Sequence, residues 1–293
     1  EAKALAALDH QNIVHLYNFG QENGSFVLAM QYVQGKTWER MILEAKRLDW
    51  KHSCRIAIDV LEALEYAHGR GVVHRDMKPS NVLVRSHDGT ATVMDFGIAK
   101  MAQSTRLTAT GQTMGTVRYM SPEQVRGQDV DLKTDIYSLG ATLYESLVGD
   151  TPFDGGTHFE IMTKHLSEVP RMPSALGIEV PIVVEEALMR SLSKRATDRF
   201  ETARDMRKEL EAALKEHDVA LHETQKVSRD ALELSSRTAP SRKASFAPPT
   251  APRGATASDL ADQLVPAGAR GAGTRKTRCP VIAAAVVVLA GGA

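Results

Sequence analysis

The chain has 293 residues, 43% hydrophobic and 25% charged, enough apolar material for one large domain or two smaller ones. Its 36 basic residues balance 36 acidic ones, which argues against a general nucleic-acid binder, since such proteins carry a basic excess. The two cysteines, Cys54 and Cys279, lie far apart; they make neither a disulfide framework nor a CxxC metal site, and most of the chain reads as cytosolic.

Glu1 to Leu8 is rich in Ala and Leu and reads as the end of a helix. Leu16 to Phe19 and Phe26 to Met30 read as a strand pair turned at Asn23-Gly24. From Lys51 to His68, the residues Ile56, Val60, Ala63, Leu64 and Ala67 share one helical face, and Gly71 is the expected stop. Val82 to Val84 and Ala91 to Met94 flank Asp88-Gly89 as a second hairpin. Ile136, Leu139, Gly140, Leu143 and Leu147 define a strongly apolar helix, expected at the centre of the fold. Three further helices are expected near 157–166, 181–192 and 202–215.

Composition shifts near residue 218. Beyond it Phe246 is the only aromatic, and Ala, Ser, Thr, Pro and Arg dominate. Such a segment buries too little surface to offset chain entropy, so 218–278 is expected to be a disordered linker. Arg275-Lys276-Thr277-Arg278 then precedes an apolar run from Val281 to Ala290. A basic flank before apolar sequence predicts the start of a membrane-spanning helix over 279–293. The chain opens on Glu1 inside a helical pattern and closes on Ala293 inside that run, and the expectation is a fragment of a longer protein.

The chemistry is concentrated in three motifs. His74-Arg75-Asp76-Met77-Lys78-Pro79-Ser80-Asn81 matches H-R-D-x-K-x-x-N. Asp95-Phe96-Gly97 follows an apolar strand, and Ser121-Pro122-Glu123 follows Gly115-Thr116. Alone, Asp-Phe-Gly is usually a turn and Ser-Pro-Glu a helix start. Their order and spacing together resemble the protein kinase family, and specifically bacterial serine/threonine kinases of the Hanks type. The resemblance covers about residues 1–215 and implies an α+β fold, with a mainly helical lobe nearly complete and the smaller lobe mostly missing. It divides the chain into 1–31, a remnant of the smaller lobe, and 32–217, the helical lobe.

The resemblance implies ATP-dependent transfer of a phosphoryl group to Ser or Thr on protein substrates. Asp76 is expected to accept the substrate hydroxyl proton, and Lys78 to offset charge on the transferring group. Asn81 and Asp95 offer oxygen ligands for Mg²⁺. Thr116 is expected to bond the catalytic Asp and line the target-residue site. Met30 takes the gatekeeper position, Gln31 and Val33 meet adenine through backbone groups, and Leu83 lies under the ring. Glu123 is expected to pair with Arg199, and Asp135 to anchor the backbone of the catalytic loop. His74, Phe96 and Gly97 belong to the same framework, with Leu5 packing toward Phe96 and His74. Glu1 resembles the helix Glu that pairs a strand Lys, but neither that Lys nor the family's Gly-rich loop occurs here. This chain by itself is therefore expected to bind ATP weakly and to have little activity.

Arg75 precedes the catalytic Asp, and the resemblance makes it a receiver for phosphate on Thr108 or Thr110. His15, His52, His158, His165 and His217 show no metal spacing and are read as incidental. The resemblance further implies a cytoplasmic kinase domain anchored in the membrane by one C-terminal helix, with homodimerisation in the full-length protein. The rival reading is a pseudokinase or membrane-tethered scaffold. Intact Asp76, Lys78, Asn81 and Asp95 speak against decay of the site.

Overall fold

The computed structural model describes residues 8–22, 25–96, 114–219 and the backbone of 284–289. Glu1, Leu5, Gly97, Thr108, Thr110 and the linker 220–278 lie outside the described residues. β1 (Leu16–Glu22) and β2 (Ser25–Gln31) form an antiparallel ribbon, covering the expected strand pair. β3 (Gly35–Thr37) leads directly into α1 (Trp38–Ala45), a pair of short elements the sequence pattern did not announce. Next come α2 (Trp50–His68), β4 (Val82–Arg85) and β5 (Ala91–Val93), and then the single-turn helices α3 (Met114–Val117) and α4 (Pro122–Val125). The remaining helices are α5 (Leu132–Val148), α6 (His158–Ser167), α7 (Ile182–Ser191) and α8 over 203–219.

α2 begins where the Asp49 carboxylate accepts from the amides of Lys51 and His52, satisfying donors that the first helical turn leaves open. It ends at His68, three residues before Gly71. Gly69 keeps a right-handed cap, and it is Gly71 that turns left-handed, at φ +73°. α5 is buried on nearly every side, the sign of a helix at the centre of a fold. Gly140 lets α7 close on it: a Cβ there would meet Ser191 Oγ at 2.1 Å. Several polar groups inside this core are paired. Trp38 Nε1 donates to Ser146 Oγ at 2.9 Å, and Ser53 Oγ lies 2.8 Å from the same hydroxyl.

β3, β4 and β5 form a small antiparallel sheet in which Val82 faces Val93. Its β4–β5 turn uses Gly89 at φ +74°, with Asp88 Oδ1 accepting from the Thr90 amide. Asn12 ties the preceding chain to β5 through a buried 2.8 Å bond from Nδ2 to the Ala91 carbonyl.

The C-terminal apolar run departs from expectation. Ala284–Leu289, predicted to open a membrane-spanning helix, forms a strand, β6, antiparallel to β2 with Met30 facing Ala285. Two physical reasons favour this. A Val-rich run suits a strand, and the free edge of a two-stranded ribbon presents unpaired amides and carbonyls to it. Among the described residues, no helix is long and apolar enough to cross a membrane.

Candidate active site

The site forms where the loop between α2 and β4 meets the end of β5 and the segment 114–124. Asp135, in the first turn of α5 and fully buried, organises the loop from below. Its Oδ2 accepts from the His74 amide and its Oδ1 from the Arg75 amide, both at 2.8 Å. His68 Nε2 lies 2.8 Å from the same Oδ2. Arg75 itself sits at φ +65°, a conformation rare outside glycine. It is held there on both sides, by the Asp135 bond to its amide and by Gln124 Nε2 donating to its carbonyl at 2.8 Å. Gln124 is placed by a capping box with Ser121.

His74 is buried and stacks obliquely on Phe96, ring centroids 4.7 Å apart. Its Nε2 donates to the Met94 carbonyl at 3.0 Å, and its Nδ1 accepts from the Asp76 amide at 3.2 Å. One imidazole thus fixes both the catalytic-loop backbone and the end of β5.

On this platform Asp76 Oδ2 lies 3.0 Å from Lys78 Nζ and accepts from Asn81 Nδ2 at 3.3 Å. Asn81 Nδ2 also donates to the Asp76 carbonyl at 2.8 Å. Lys78 Nζ donates to Thr116 Oγ1 at 3.4 Å, so Thr116 reaches Lys78, whereas the resemblance implied a bond to Asp76. The Val82–Val93 register brings Asn81 beside Met94, whose amide donates to the Asn81 carbonyl at 2.9 Å. Asp95 follows at φ +59°. Surrounding protein atoms push its carboxyl upward from the ordinary carboxylate range; His74 and Lys78 pull it back, and Asp76 adds to the rise. Its side chain is nonetheless open to solvent, and that hydration limits the rise.

Asp95 and Asn81 suit a hard cation. Asn81 turns its amide nitrogen toward Asp76, and its Oδ1 accepts no hydrogen bond among the described residues. One carboxylate and one amide oxygen match Mg²⁺, which takes few protein ligands and completes its shell with phosphate and water. Among the described residues there is no cluster of three or more His, Cys, Asp or Glu side chains able to hold a metal by themselves.

Two hollows flank this centre. One, of about 360 Å³ including space continuous with solvent, is lined by Leu8, Ile13, Leu16, Met30, Asp95 and Phe96, with Val14. The other, of about 170 Å³, includes Asp76, Met77, Thr116, Tyr119 and Gln124. Beside the first, Met30 packs with Val14 and Leu28, and Val33, Leu83 and Met94 close on them. The predicted gatekeeper Met30 and the predicted adenine contacts Val33 and Leu83 therefore share one apolar cluster. The Gln31 amide is already spent on the His15 carbonyl at 2.8 Å.

The buried Arg199 and the half-buried Glu123 form a bidentate pair, at 2.8 and 2.9 Å. Burial pushes the Glu123 carboxyl up, but the Arg199 hydrogen bonds and charge, with the Thr134 hydroxyl, outweigh it and hold the group down at about 2. Sequence reasoning missed His68, Gln124 and Tyr119, whose hydroxyl donates to Glu145 at 2.5 Å. Only Gln124 carried a local signal, the S-x-x-Q pattern of Ser121 to Gln124.

A fold of small antiparallel strands and a helical body around one buried helix, with an Asp-Lys-Asn catalytic loop facing an Asp-Phe turn, is that of a phosphoryl-transfer enzyme. A family model described as the protein kinase domain matches residues 1–236. The chain belongs to the protein kinase family, in its bacterial Hanks-type serine/threonine branch. It is 38% identical over 213 residues to the serine/threonine-protein kinase PrkC of Bacillus subtilis, covering 73% of this chain and 33% of that protein. It is 39% identical over 226 residues to the serine/threonine-protein kinase pkn3 of Myxococcus xanthus, covering 74% of this chain and 41% of that one. With PknB of Mycobacterium leprae it shares 36% over 215 residues, 72% and 34% of the two chains. The chain spans about a third of the length of most of the curated relatives it matches.

Proposed function

We propose that this chain carries the catalytic apparatus of an ATP-dependent serine/threonine protein kinase. The observation that carries the reading is the chain of contacts that links Thr116 to Lys78, Lys78 to Asp76 and Asp76 to Asn81. Asp76 accepts the proton of the substrate hydroxyl as its oxygen attacks the γ-phosphorus, and ADP leaves. Lys78 sits beside that carboxylate and faces charge on the transferring group. Asn81 and Asp95 would hold Mg²⁺, which, when bound, offsets charge on the nucleotide phosphates. Gln31 and Val33 meet the adenine ring through backbone groups and Leu83 lies under it, with Met30 at the gatekeeper position.

The test is phosphate incorporation from labelled Mg-ATP into a generic protein substrate, at millimolar ATP because this chain contains no Gly-rich loop. Asp76→Asn is expected to lower the rate by about a hundredfold or more while the fold is retained. Equal incorporation by Asp76→Asn and wild type would sink the reading.

Three finer parts belong to the same proposal. Phosphate on Thr108 or Thr110 orders the segment ahead of Gly115 through Arg75; phosphosite mapping of the active protein checks it. The kinase part works on the cytoplasmic side, with 279–293 anchoring it in the membrane. That run cannot pair with β2 and span a bilayer at once, so protection of 284–289 from lipid-phase labelling would count against anchoring. Homodimerisation of the whole protein is checked by light scattering.

A further inference from the structure

His165, in the last turn of α6, has no exposed surface and stands outside the catalytic groups. Its Nε2 lies 3.1 Å from the Arg118 carbonyl, and its Nδ1 lies 2.8 Å from the hydroxyl of Tyr137 on α5. Phe153 meets the ring edge-on, with centroids 4.9 Å apart. A carbonyl only accepts, so Nε2 must carry the proton; Nδ1 is then an acceptor, and the Tyr137 hydroxyl donates to it. The polar path therefore runs in one direction, from α5 through the imidazole to the 114–120 backbone.

The charges around the ring agree with this. Burial, with the Lys194 charge acting in the same direction, outweighs the Arg118 carbonyl and lowers the His165 pKa to about 4. Lys194 stands 4.2 Å from the Phe153 ring, and its own pKa is lowered to about 8 by burial and by Arg199. The imidazole is neutral near pH 7.

Arg118 lies two residues after Thr116, which contacts Lys78. The same helix supports that segment by packing, since Ile161 of α6 is buried with Val117 and Met120. We propose that His165 is a positioning residue that fixes the 114–120 segment against the catalytic loop, and so sets how the protein substrate is presented. Its kinetic consequence rests on the kinase reading; its structural consequence does not. His165 acts through the Arg118 carbonyl, with no contact to the reacting atoms.

The test uses the full chain as wild type, His165→Phe, His165→Gln and Tyr137→Phe. Phe keeps a ring of similar size but leaves the Arg118 carbonyl buried without a donor. Gln restores a donor and an acceptor. In His165→Phe, amides over 114–120 are expected to exchange about tenfold faster or more, while those of α5 stay within about twofold of wild type. His165→Gln should recover most of that protection, and Tyr137→Phe should show a smaller change. Nitrogen spectra of wild type near pH 7 should show the Nε2–H tautomer. An imidazolium or the Nδ1–H form would overturn the proposal even if the Phe variant fails to fold. Unchanged exchange over 114–120, or equal loss in α5, would overturn it as well.

In kinetics, His165→Phe should raise KM for the protein substrate about tenfold and leave KM for ATP within about twofold, with Gln again restoring it. A rise in both KM values alike would mean general loosening and overturn the positioning role. Absence of any phosphoryl transfer by wild type would count against the kinase reading, and exchange and tautomer would still decide the role of His165.

Discussion

The helical body and the β1–β2–β6 ribbon are held in different ways. The body closes on α5 and carries its polar anchors deep inside: Asp135 and Thr134 have no exposed surface, and Arg199 has 2%. Among the described residues, the buried core beside the ribbon is Val14, Leu28 and Met30, with Leu16, Val33, Leu83 and Met94 partly buried against it, and backbone pairing adds to that support. A few strands with a small apolar face are marginal alone. The division matches the chemistry. Under the proposed function, Asp76, Lys78 and Asn81 stand on the body, where displacements of an ångström would be costly, while Met30, proposed to border the base, stands on the ribbon.

The hardest way to break this comparison is at Asp135. Asp135→Ala leaves the amides of His74 and Arg75 without their acceptor in a dry interior. Stranded donors of this kind cost about 1–3 kcal/mol each, so a loss of roughly 4 kcal/mol is expected in denaturant melts. Phosphoryl transfer should fall with it. A loss under about 1 kcal/mol would show that the loop is held elsewhere.

Next is Arg199→Met, which leaves the half-buried Glu123 carboxylate without its charged partner and with the Thr134 hydroxyl still donating to it, at a cost of about 3 kcal/mol near pH 7, the low end for such breaks. The pH dependence gives its sign. The Glu123 carboxyl is held at about 2 in the fold, against an ordinary 4.5. Its pairing therefore contributes fully above pH 4.5 and is lost as pH falls toward 2. The stability gap between wild type and Arg199→Met should narrow through that window. A gap independent of pH would mean that the pair matters for packing alone.

The ribbon gives the contrasting result. Met30→Ala removes one of three buried residues in a small cluster, with an expected cost of about 2 kcal/mol, at the low end for such truncations. Exchange should quicken over 16–31 and leave α5 unchanged. If α5 responded equally, ribbon and body would be one cooperative unit.

Much of this division was legible in the sequence. His74 to Asn81, Asp95-Phe96 and Ser121 to Glu123 were readable because their order and spacing together resemble the protein kinase family. The long helices showed through Ile56-Val60-Leu64 and Leu139-Leu143-Leu147, since a buried face must repeat with the helical period. His68 and His165 were invisible because their roles come from residues 67 and 47 positions away in sequence. The Val-rich run at 284–289 fits helix or strand equally by pattern, and in the structure its partner is the edge of β2. Gly35 to Thr37 is too short to show any period, and its strand exists because β4 lies beside it.

The smallest expected effect lies where the two parts meet. Thr37 ends β3 and caps α1, its Oγ1 accepting from the Arg40 amide at 3.1 Å. Thr37→Ala removes that acceptor, and caps of this kind are worth about 1 kcal/mol. α1 is anchored by Trp38, which is fully buried and bonded to Ser146 of α5. If α1 belongs to the body, the loss should appear as a small global shift, with exchange quickened only in the first turn of α1. If it belongs to the ribbon, 25–31 should loosen too. The Trp38–Ser146 bond is the reason to expect the first pattern, because a helix pinned at its first residue to the most buried helix has little freedom to follow the strand before it.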